Sequence, residues 1–420
     1  MDSIQDLAPE VQKRISDFER FLGKSKFSRP EVKNVGSMLY SMVKSPGVYI
    51  TGMSRSLNED ITPKKTWERL NRNLRREGLG ARLTGANLYK NKNQIRKKRF
   101  CIIDISDVQK PEARRMEGLS RVRDGDKSDH GRVVTGNGYW WLNGMMADES
   151  GILPVYSEIY SLDYEGKNHV SENSKVIRVT ELVQEVHPDA VYVLDRGGDR
   201  SKILENFIAE GKQFVIRCQD QRSVRLHRDS EKETNIKDIA KKTKTTHAYK
   251  SLRNGEWFDV GIRRVYYGEI PLWLVVSRRR RGGMSWYLTN IEGSRTEIMN
   301  TVMEAYGYRW SVEEYHRQIK QDYGLEKIRI RKYHAIKNMT VIVMLASSFC
   351  TLIPERLIIK MLALSNRLPH KQLHDIPDYP YYMITAAVSF VLEQAVKRRP
   401  KPLRIRKRNY LQLNLNLREV

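Results

Sequence analysis

The chain has 420 residues, and its 75 lysines and arginines outnumber its 50 aspartates and glutamates by 25 charges. A hydrophobic content of 40% excludes a wholly disordered chain, and three cysteines more than a hundred residues apart exclude a disulfide framework or a cysteine-rich zinc site. We therefore expect a cytoplasmic protein of about two to four domains with a polyanionic partner. The N-terminal residues lack a signal pattern and the longest apolar run, 339–353, is short for a bilayer, so no membrane contact is expected.

Residues 1–95 predict a helical domain. One helix begins at the N-cap Thr62 and Pro63, and Gly78 indicates its end. At 100° per residue this helix has two faces. The apolar face consists of Trp67, Leu70 and Leu74. The basic face consists of Lys65, Arg69, Arg72 and Arg76. The basic face predicts contact with DNA phosphates; a merely solvated face is the alternative.

From residue 96 the pattern changes to short apolar runs separated by helical stretches, which is typical of an α/β fold. The first runs are 100–103, 152–160, 191–194 and 214–216. A turn is predicted at Gly136-Asn-Gly138, and a polar loop over about 231–250. Three more strands at 257–267, 270–277 and 285–290 indicate an inserted β module, and a single long helix is expected over 296–323. The predicted divisions are 1–95, 96–225, 226–292, 293–330 and a C-terminal helical region, 331–420, which is a candidate for dimerisation.

Two acidic residues follow apolar runs directly: Asp104 after FCII and Asp195 after VYVL. Carboxylates at strand ends of an α/β sheet line the crevice where ligands bind. Asp107 lies three residues further on and is the alternative to Asp104. We prefer Asp104 because it follows the apolar run without a gap.

The predicted helix over 296–323 supplies a third acidic position. Four polar side chains project within about 60° of one another on it. They are Tyr306, Arg309, Glu313 and Lys320. Such a face suits a cation and phosphates, although a surface ion-pair ladder is the alternative. Three carboxylates without cysteine or histidine partners favour Mg²⁺ or Mn²⁺, and such a cluster can hold two ions about 3.5–4 Å apart for phosphoryl transfer.

Three motifs combine these residues. They are D-x-S at Asp104–Ser106, D-R-G at Asp195–Gly197, and Y-x2-R-x3-E-x6-K from Tyr306 to Lys320. Over residues 95–350 the chain resembles the DDE transposases of prokaryotic insertion sequences, in particular the branch with the YREK signature. The resemblance implies a ribonuclease H-like core with an inserted β module and a catalytic, metal-binding triad of Asp104, Asp195 and Glu313. Ser106 stands where the family often has Thr.

The resemblance also implies residues that contact DNA. Trp286, in the segment WYLT, corresponds to a ring that stacks on a flipped base; filling the module's core is the alternative role. Arg196 and Arg217 correspond to residues near DNA, and the Tyr, Arg and Lys of the YREK signature to residues that hold phosphates.

The implied function is a transposase. A homodimer would bind terminal inverted repeats of double-stranded DNA, cleave with two Mg²⁺ or Mn²⁺ ions through a hairpin, and join 3′ ends to target DNA in the nucleoid of a prokaryotic cytoplasm. The alternatives are a metal-dependent nuclease of the same fold and a non-catalytic DNA-binding relic. The intact triad and signature argue against the relic. The YREK residues and Trp286 argue against the nuclease, because they serve hairpin handling, which a simple nuclease does not need.

Overall fold

A computed structural model describes residues 4–123, 133–162, 164, 170–251, 253, 255–279, 282–365 and 379–398. Within them the fold is α/β, as predicted: one mixed sheet of 12 strands carries helices on both faces. Much of the predicted C-terminal region, 366–378 and 399–420, lies outside the described residues. The division of the chain into domains stays a prediction.

Residues 4–95 form helices, as the sequence predicts. They are α1 (Ile4–Lys24), α2 (Arg29–Lys44), α3 (Ile50–Ser56), α4 (Pro63–Leu74), α5 (Leu79–Lys90) and α6 (Lys92–Ile95). The Thr62 side chain caps α4 by accepting a hydrogen bond from the Lys65 N–H. However, α4 ends at Leu74 and not at Gly78, which instead precedes α5 in the left-handed region at a φ of 67°. Arg76 therefore lies outside the helix on which it was predicted.

The buried face of α4 is also rotated from the predicted one. Leu70 and Leu74 are buried, but Trp67 is 37% exposed. The cause is Glu59, whose largely buried carboxylate accepts hydrogen bonds from Thr66 and Arg69, each at 2.9 Å. These contacts turn Thr66 and Arg69 towards the protein and Trp67 towards solvent.

The sheet follows from residue 100 onwards. Its strands are β1 (Phe100–Gln109), β2 (Ser120–Arg123), β3 (Thr135–Asp148), β4 (Gly151–Tyr160), β5 (Val191–Leu194), β6 (Gln213–Arg217), β7 (Ser223–Arg225), β8 (Glu233–Asn235), β9 (His247–Lys250), β10 (Trp257–Tyr267), β11 (Ile270–Arg279) and β12 (Met284–Thr289). The main order is β2-β3-β1-β5-β6-β12-β11-β10-β7-β8, with β4 beside β3 and β9 beside β10. The pairs β1–β5 and β5–β6 are parallel. Strand β12 pairs antiparallel with β6, so the strands of the predicted β module continue the same sheet.

The seven predicted strands are confirmed, but two loop predictions are wrong. The predicted turn at Gly136-Asn-Gly138 lies inside β3, and residues 231–250 contain β8, a helix and β9. Glycine is needed at 138 because the strands are close there: a Cβ atom would lie 2.5 Å from the Val108 carbonyl oxygen.

The remaining helices cover the sheet. They are α7 (Glu172–Val186), α8 (Ser201–Ala209), α9 (Ile236–Lys242), α10 (Arg295–Gly307), α11 (Arg309–Gln321), α12 (Tyr333–Thr351), α13 (Glu355–Leu364) and α14 (Tyr381–Arg398). The single helix predicted over 296–323 is divided in two at Tyr308. Gly307, a weak helix former, precedes the division, and the Ser311 N–H bonds the Tyr308 carbonyl in a tightened turn.

The central strands are buried on both faces, as expected for parallel strands. On one face Phe100, Ile102, Val191 and Val193 belong to the core formed with α10, α11 and α12. On the other, Cys101, Ile103, Tyr192 and Leu194 pack with α7 and α8. Since side chains alternate along a strand, residues 104 and 195 lie on the first face, towards α11.

No single helix among the described residues is both long and apolar enough to span a membrane. Helices α12 and α13 are long and apolar enough only when taken as a pair, and the chain bends by 93° between them.

One buried side chain ties the N-terminal helices to α12. Asn338 accepts a hydrogen bond from the Gly80 N–H and donates to the carbonyl oxygens of Leu74 and Arg76, all at 2.7 Å. The last two bonds satisfy carbonyl groups at the end of α4 and explain why the helix can stop there.

We therefore expect Asn338→Ala to lower the free energy of unfolding by about 2–4 kcal/mol, because it leaves several buried polar groups without partners. Urea denaturation followed by circular dichroism measures the change. Asn93→Ala, at an exposed position of α6, is the matched control and should change it by less than about 0.5 kcal/mol. Equal stability of the two variants would contradict this role for Asn338.

Candidate active site

Two carboxylates meet at the end of the parallel part of the sheet. The last parallel pair is Ile103 with Leu194, so Asp104 and Asp195 are the next residues on neighbouring strands. Asp195 follows β5 directly, as predicted. Asp104 does not end its strand, because β1 continues to Gln109 paired with β3.

Glu313 is a third carboxylate in the electrostatic surroundings of Asp104. The pKa of Asp104 is raised to about 7, chiefly by burial and then by the negative charge of Asp195, with a smaller contribution from Glu313. The positive charge of Arg309 acts in the opposite direction. Strands β1 and β5 and helix α11 therefore bring the three predicted carboxylates within electrostatic range of one another.

Asp107, the alternative to Asp104, has different neighbours. Its Oδ2 atom accepts a hydrogen bond from the Gln109 amide at 2.7 Å and lies 3.8 Å from the Lys320 ammonium. Lys320 also lies 3.4 Å from the Glu326 carboxylate. The choice of Asp104 over Asp107 stays a prediction.

Glu313 is half exposed and forms an ion pair within its own helix. The Arg309 guanidinium donates to Glu313 Oε1 at 2.6 Å, one helical turn away. Burial alone would lower the pKa of Arg309, but Tyr306, Glu313 and Asp104 together raise it above its ordinary value. The pair thus neutralises a carboxylate that would otherwise repel Asp104.

These contacts bear on whether a cation fits. The described residues contain no group of three histidine, cysteine or acidic side chains already placed to hold a metal ion. The donor set nevertheless fits Mg²⁺ or Mn²⁺, because it is built from carboxylate oxygens, and the like charges that raise the pKa of Asp104 are what a divalent cation neutralises. Arg309 engages only Oε1 of Glu313, and a carboxylate can still bind a cation through its second oxygen.

A cavity of about 400 Å³ opens beside Glu313. Arginine and aromatic side chains make up half of its lining residues: Arg217, Arg253, Arg279, Arg309, Tyr249, Phe258, Tyr287, Tyr306 and Trp310. The Arg217 guanidinium donates to the Tyr306 hydroxyl at 3.0 Å, and the Arg253 guanidinium lies 3.7 Å from the centre of the Trp310 ring. Tyr306 and Arg309 of the signature thus line this cavity, whereas Lys320 faces Asp107.

Trp286 lies in β12 and is only 5% exposed. Its ring packs in the core on the far face of the sheet, and the Arg196 guanidinium is 6.0 Å from its centre. Its indole N–H has no hydrogen-bond partner within the described residues. Stacking on a base, which stays a prediction, therefore requires the ring to become exposed. Trp257, by contrast, is 42% exposed.

The predicted basic face of α4 is partly neutralised. Arg69 pairs with Glu59 at 2.9 Å, and Arg76 lies 3.4 Å from Glu31. Lys65 and Arg72 are exposed. These two side chains are therefore the members of the set best placed to contact a polyanion.

His316 is a neighbour of the site that the motifs do not include. Its Nδ1 atom lies 3.8 Å from Asp104 Oδ2, and its Nε2 atom lies 3.1 Å from the Asn143 amide nitrogen. The pKa of His316 is lowered to about 3, first by burial and then by the positive charges of Lys320 and Arg309, so the ring is neutral. Its position three residues after Glu313, one helical turn away, is the signal that would have found it.

A comparison with known protein families identifies the family of this chain. The family model described as "Transposase DDE domain" matches residues 96–349, which is more than half of the chain and runs from the segment before β1 into α12. No curated protein is similar enough to count as a match. The matched segment contains both strands that carry the aspartates and the helix that carries Glu313, and on this match the chain belongs to the DDE-domain transposase family.

Proposed function

We propose that this transposase belongs to a prokaryotic insertion sequence of the YREK branch. It binds the terminal inverted repeats of double-stranded DNA, cleaves them and joins the 3′ ends to target DNA. The observation that carries the proposal is the placement of Asp104 beside Asp195 on parallel strands, with Glu313 close enough to raise the pKa of Asp104.

Asp104, Asp195 and Glu313 would hold two Mg²⁺ or Mn²⁺ ions. When bound, such ions activate the attacking oxygen and stabilise the leaving oxygen of an in-line phosphoryl transfer. Glu313 would bind an ion through Oε2 while Oε1 keeps its hydrogen bond from Arg309. The remaining N–H groups of Arg309 suit a DNA phosphate, because guanidinium groups bind phosphates in two-pronged fashion. Arg309 would then link a bound phosphate to the carboxylate set.

The cavity beside Glu313 supports a role for the YREK residues in holding a strand end. Its arginines suit phosphates and its aromatic rings suit bases. Tyr306 and Arg309 would act there, and Arg217 would support Tyr306 through their hydrogen bond. Lys320 would contact a phosphate on the Asp107 side. We also propose that the protein acts as a homodimer in the nucleoid, with Arg196 near DNA.

The first prediction concerns cleavage. Asp104→Ala, Asp195→Ala and Glu313→Ala should each reduce Mg²⁺-dependent strand cleavage at least about a hundredfold, because each removes an ion ligand. Binding to a labelled terminal repeat should be nearly unchanged, since phosphate contacts by lysine and arginine dominate affinity.

Denaturing gels and mobility-shift assays with an end fragment measure both quantities. Asp107→Ala is the matched control. Loss of cleavage in Asp107→Ala with full cleavage in Asp104→Ala would move the first ligand by three residues. Cleavage without any joining by the wild-type protein would favour a nuclease.

The second prediction concerns α4. Replacing both Lys65 and Arg72 by Ala should weaken binding to the terminal repeat and reduce the slope of log affinity against log salt by about two, because two phosphate contacts are lost. Arg178→Ala, an exposed position on α7 in an ion pair with Glu181, should leave the slope unchanged. An unchanged slope in the Lys65/Arg72 variant would show that α4 does not hold phosphates.

The third prediction concerns the hairpin. If Trp286 stacks on a displaced base, Trp286→Phe should permit the first nick but slow hairpin formation by about tenfold, for a loss of about 1.4 kcal/mol of stacking. Phenylalanine is chosen because alanine would leave a cavity at this buried position. Trp257→Ala tests the exposed ring of β10. A hairpin defect in Trp257→Ala alone would assign the stacking role to that ring.

A further inference from the structure

We propose that His316 is a positioning residue, which orients the carboxylate of Asp104 and is itself held by a directional chain of hydrogen bonds that begins at Trp141. The inference deepens the proposed function and rests on it, because the role of Asp104 as an ion ligand belongs to that proposal. His316 itself would not touch the ion or the DNA.

The sheet places Asp104 and two members of this hydrogen-bond chain in one row. Asp104 of β1 is paired with Asn143 of β3, and Asn143 is paired with Ser157 of β4. Helix α11 lies over this row and places His316 against both Asp104 and Asn143. Asn143 and Ser157 are 1% and 2% exposed, so their hydrogen bonds do not compete with bulk water.

The direction of the chain follows from its first member. The indole N–H of Trp141 can only donate, and it donates to Ser157 Oγ at 2.8 Å. The single hydroxyl proton of Ser157 is then directed to Asn143 Oδ1, at 3.2 Å. With its oxygen used as the acceptor, Asn143 presents its NH₂ group to His316 Nε2 at 3.1 Å.

This order fixes the tautomer of His316. A ring nitrogen that accepts a hydrogen bond carries no proton, so the proton of the neutral ring is on Nδ1. Nδ1 is the ring nitrogen nearest Asp104, with Oδ2 at 3.8 Å. The distance is longer than a direct hydrogen bond, and contacts of this kind in catalytic sites commonly tighten when the substrate binds.

The arrangement assigns different tasks to the two oxygens of Asp104. An N–H facing Oδ2 restrains the rotation of the carboxylate, and the other oxygen remains for a cation. Ion-ligating carboxylates are commonly held in this way by a further hydrogen bond. The same tautomer prevents His316 from acting as an ion ligand, because one nitrogen is protonated and the other accepts from Asn143.

A pair of variants separates the two ring nitrogens. The amide nitrogen of Asn lies close to where histidine has Nδ1, whereas the amide of Gln lies close to where it has Nε2. His316→Asn therefore keeps an N–H near Asp104, and His316→Gln keeps only the contact with Asn143. For the full-length chain without DNA, calorimetry should show Mn²⁺ affinity about tenfold lower in His316→Gln and within about threefold of wild type in His316→Asn. Strand cleavage should follow the same order.

The tautomer is measured independently of activity. In protein labelled with ¹⁵N-histidine and free of metal, the ring nitrogen signals absent from His316→Asn identify His316, and they should report a proton on Nδ1. Asn143→Asp should move the proton to Nε2, since a carboxylate accepts and cannot donate. A proton on Nε2 in the wild-type protein would overturn the inference whatever the variants do.

Asp104→Ala separates the role of Asp104 as an ion ligand from the positioning role of His316. If it leaves Mn²⁺ affinity and cleavage unchanged, the proposed role of Asp104 as an ion ligand fails, and the positioning role fails with it. If Asp104→Ala abolishes both while His316→Gln equals wild type, only the positioning role fails. Equal losses in His316→Gln and His316→Asn would show that the ring serves packing against Trp141, whose ring centre is 4.8 Å away, and would also overturn the inference.

Discussion

Mutual repulsion among three carboxylates is the constraint on which the site depends. The parallel pairing of β1 with β5 forces Asp104 and Asp195 to be neighbours, and the packing of α11 on the same face adds Glu313. Like charges held close together are unfavourable, and two features of the site reflect this. Arg309 binds Glu313 directly, and the pKa of Asp104 is raised so that its carboxyl is protonated more readily. A divalent cation would reduce the repulsion among the three carboxylates more completely.

The local negative charge stands in contrast with the whole chain, which carries an excess of 25 positive charges. A positively charged protein attracts DNA over a distance, whereas the like charges of the acidic site oppose the approach of a phosphate unless a cation neutralises them. The cavity lined by arginine and aromatic residues joins the two kinds of surface, because Glu313 of the acidic site is also part of its lining. The match to the DDE transposase domain covers the strands and helix that create this contrast.

The parts of the fold that could be predicted are those with local signals. Apolar runs gave seven strands, and the acids directly after two of those runs gave Asp104 and Asp195. Strand β3 was not predicted, because its glycines are required by close contacts with residues distant in sequence, such as Val108. The exposure of Trp67 and the burial of Trp286 could not be predicted for the same reason. Trp67 is turned outwards by contacts with Glu59, and the burial of Trp286 depends on neighbouring strands. The spacing from Glu313 marks His316 as a candidate, but its partners are on three different strands, so only the fold reveals the network to which it belongs.

The hydrogen bonds of Asn338 have a consequence for where DNA is cut. They fasten the end of α4 to α12, which follows the helix of Glu313 with a short connection and packs on β4 of the same sheet. If α4 holds a terminal repeat, the protein sets the separation between the recognised base pairs and the scissile phosphate. The position of the cut at each end of the insertion sequence would then be set by the protein to the nucleotide. Loosening this one junction would spread the cut over several neighbouring phosphates without changing the chemistry at any of them.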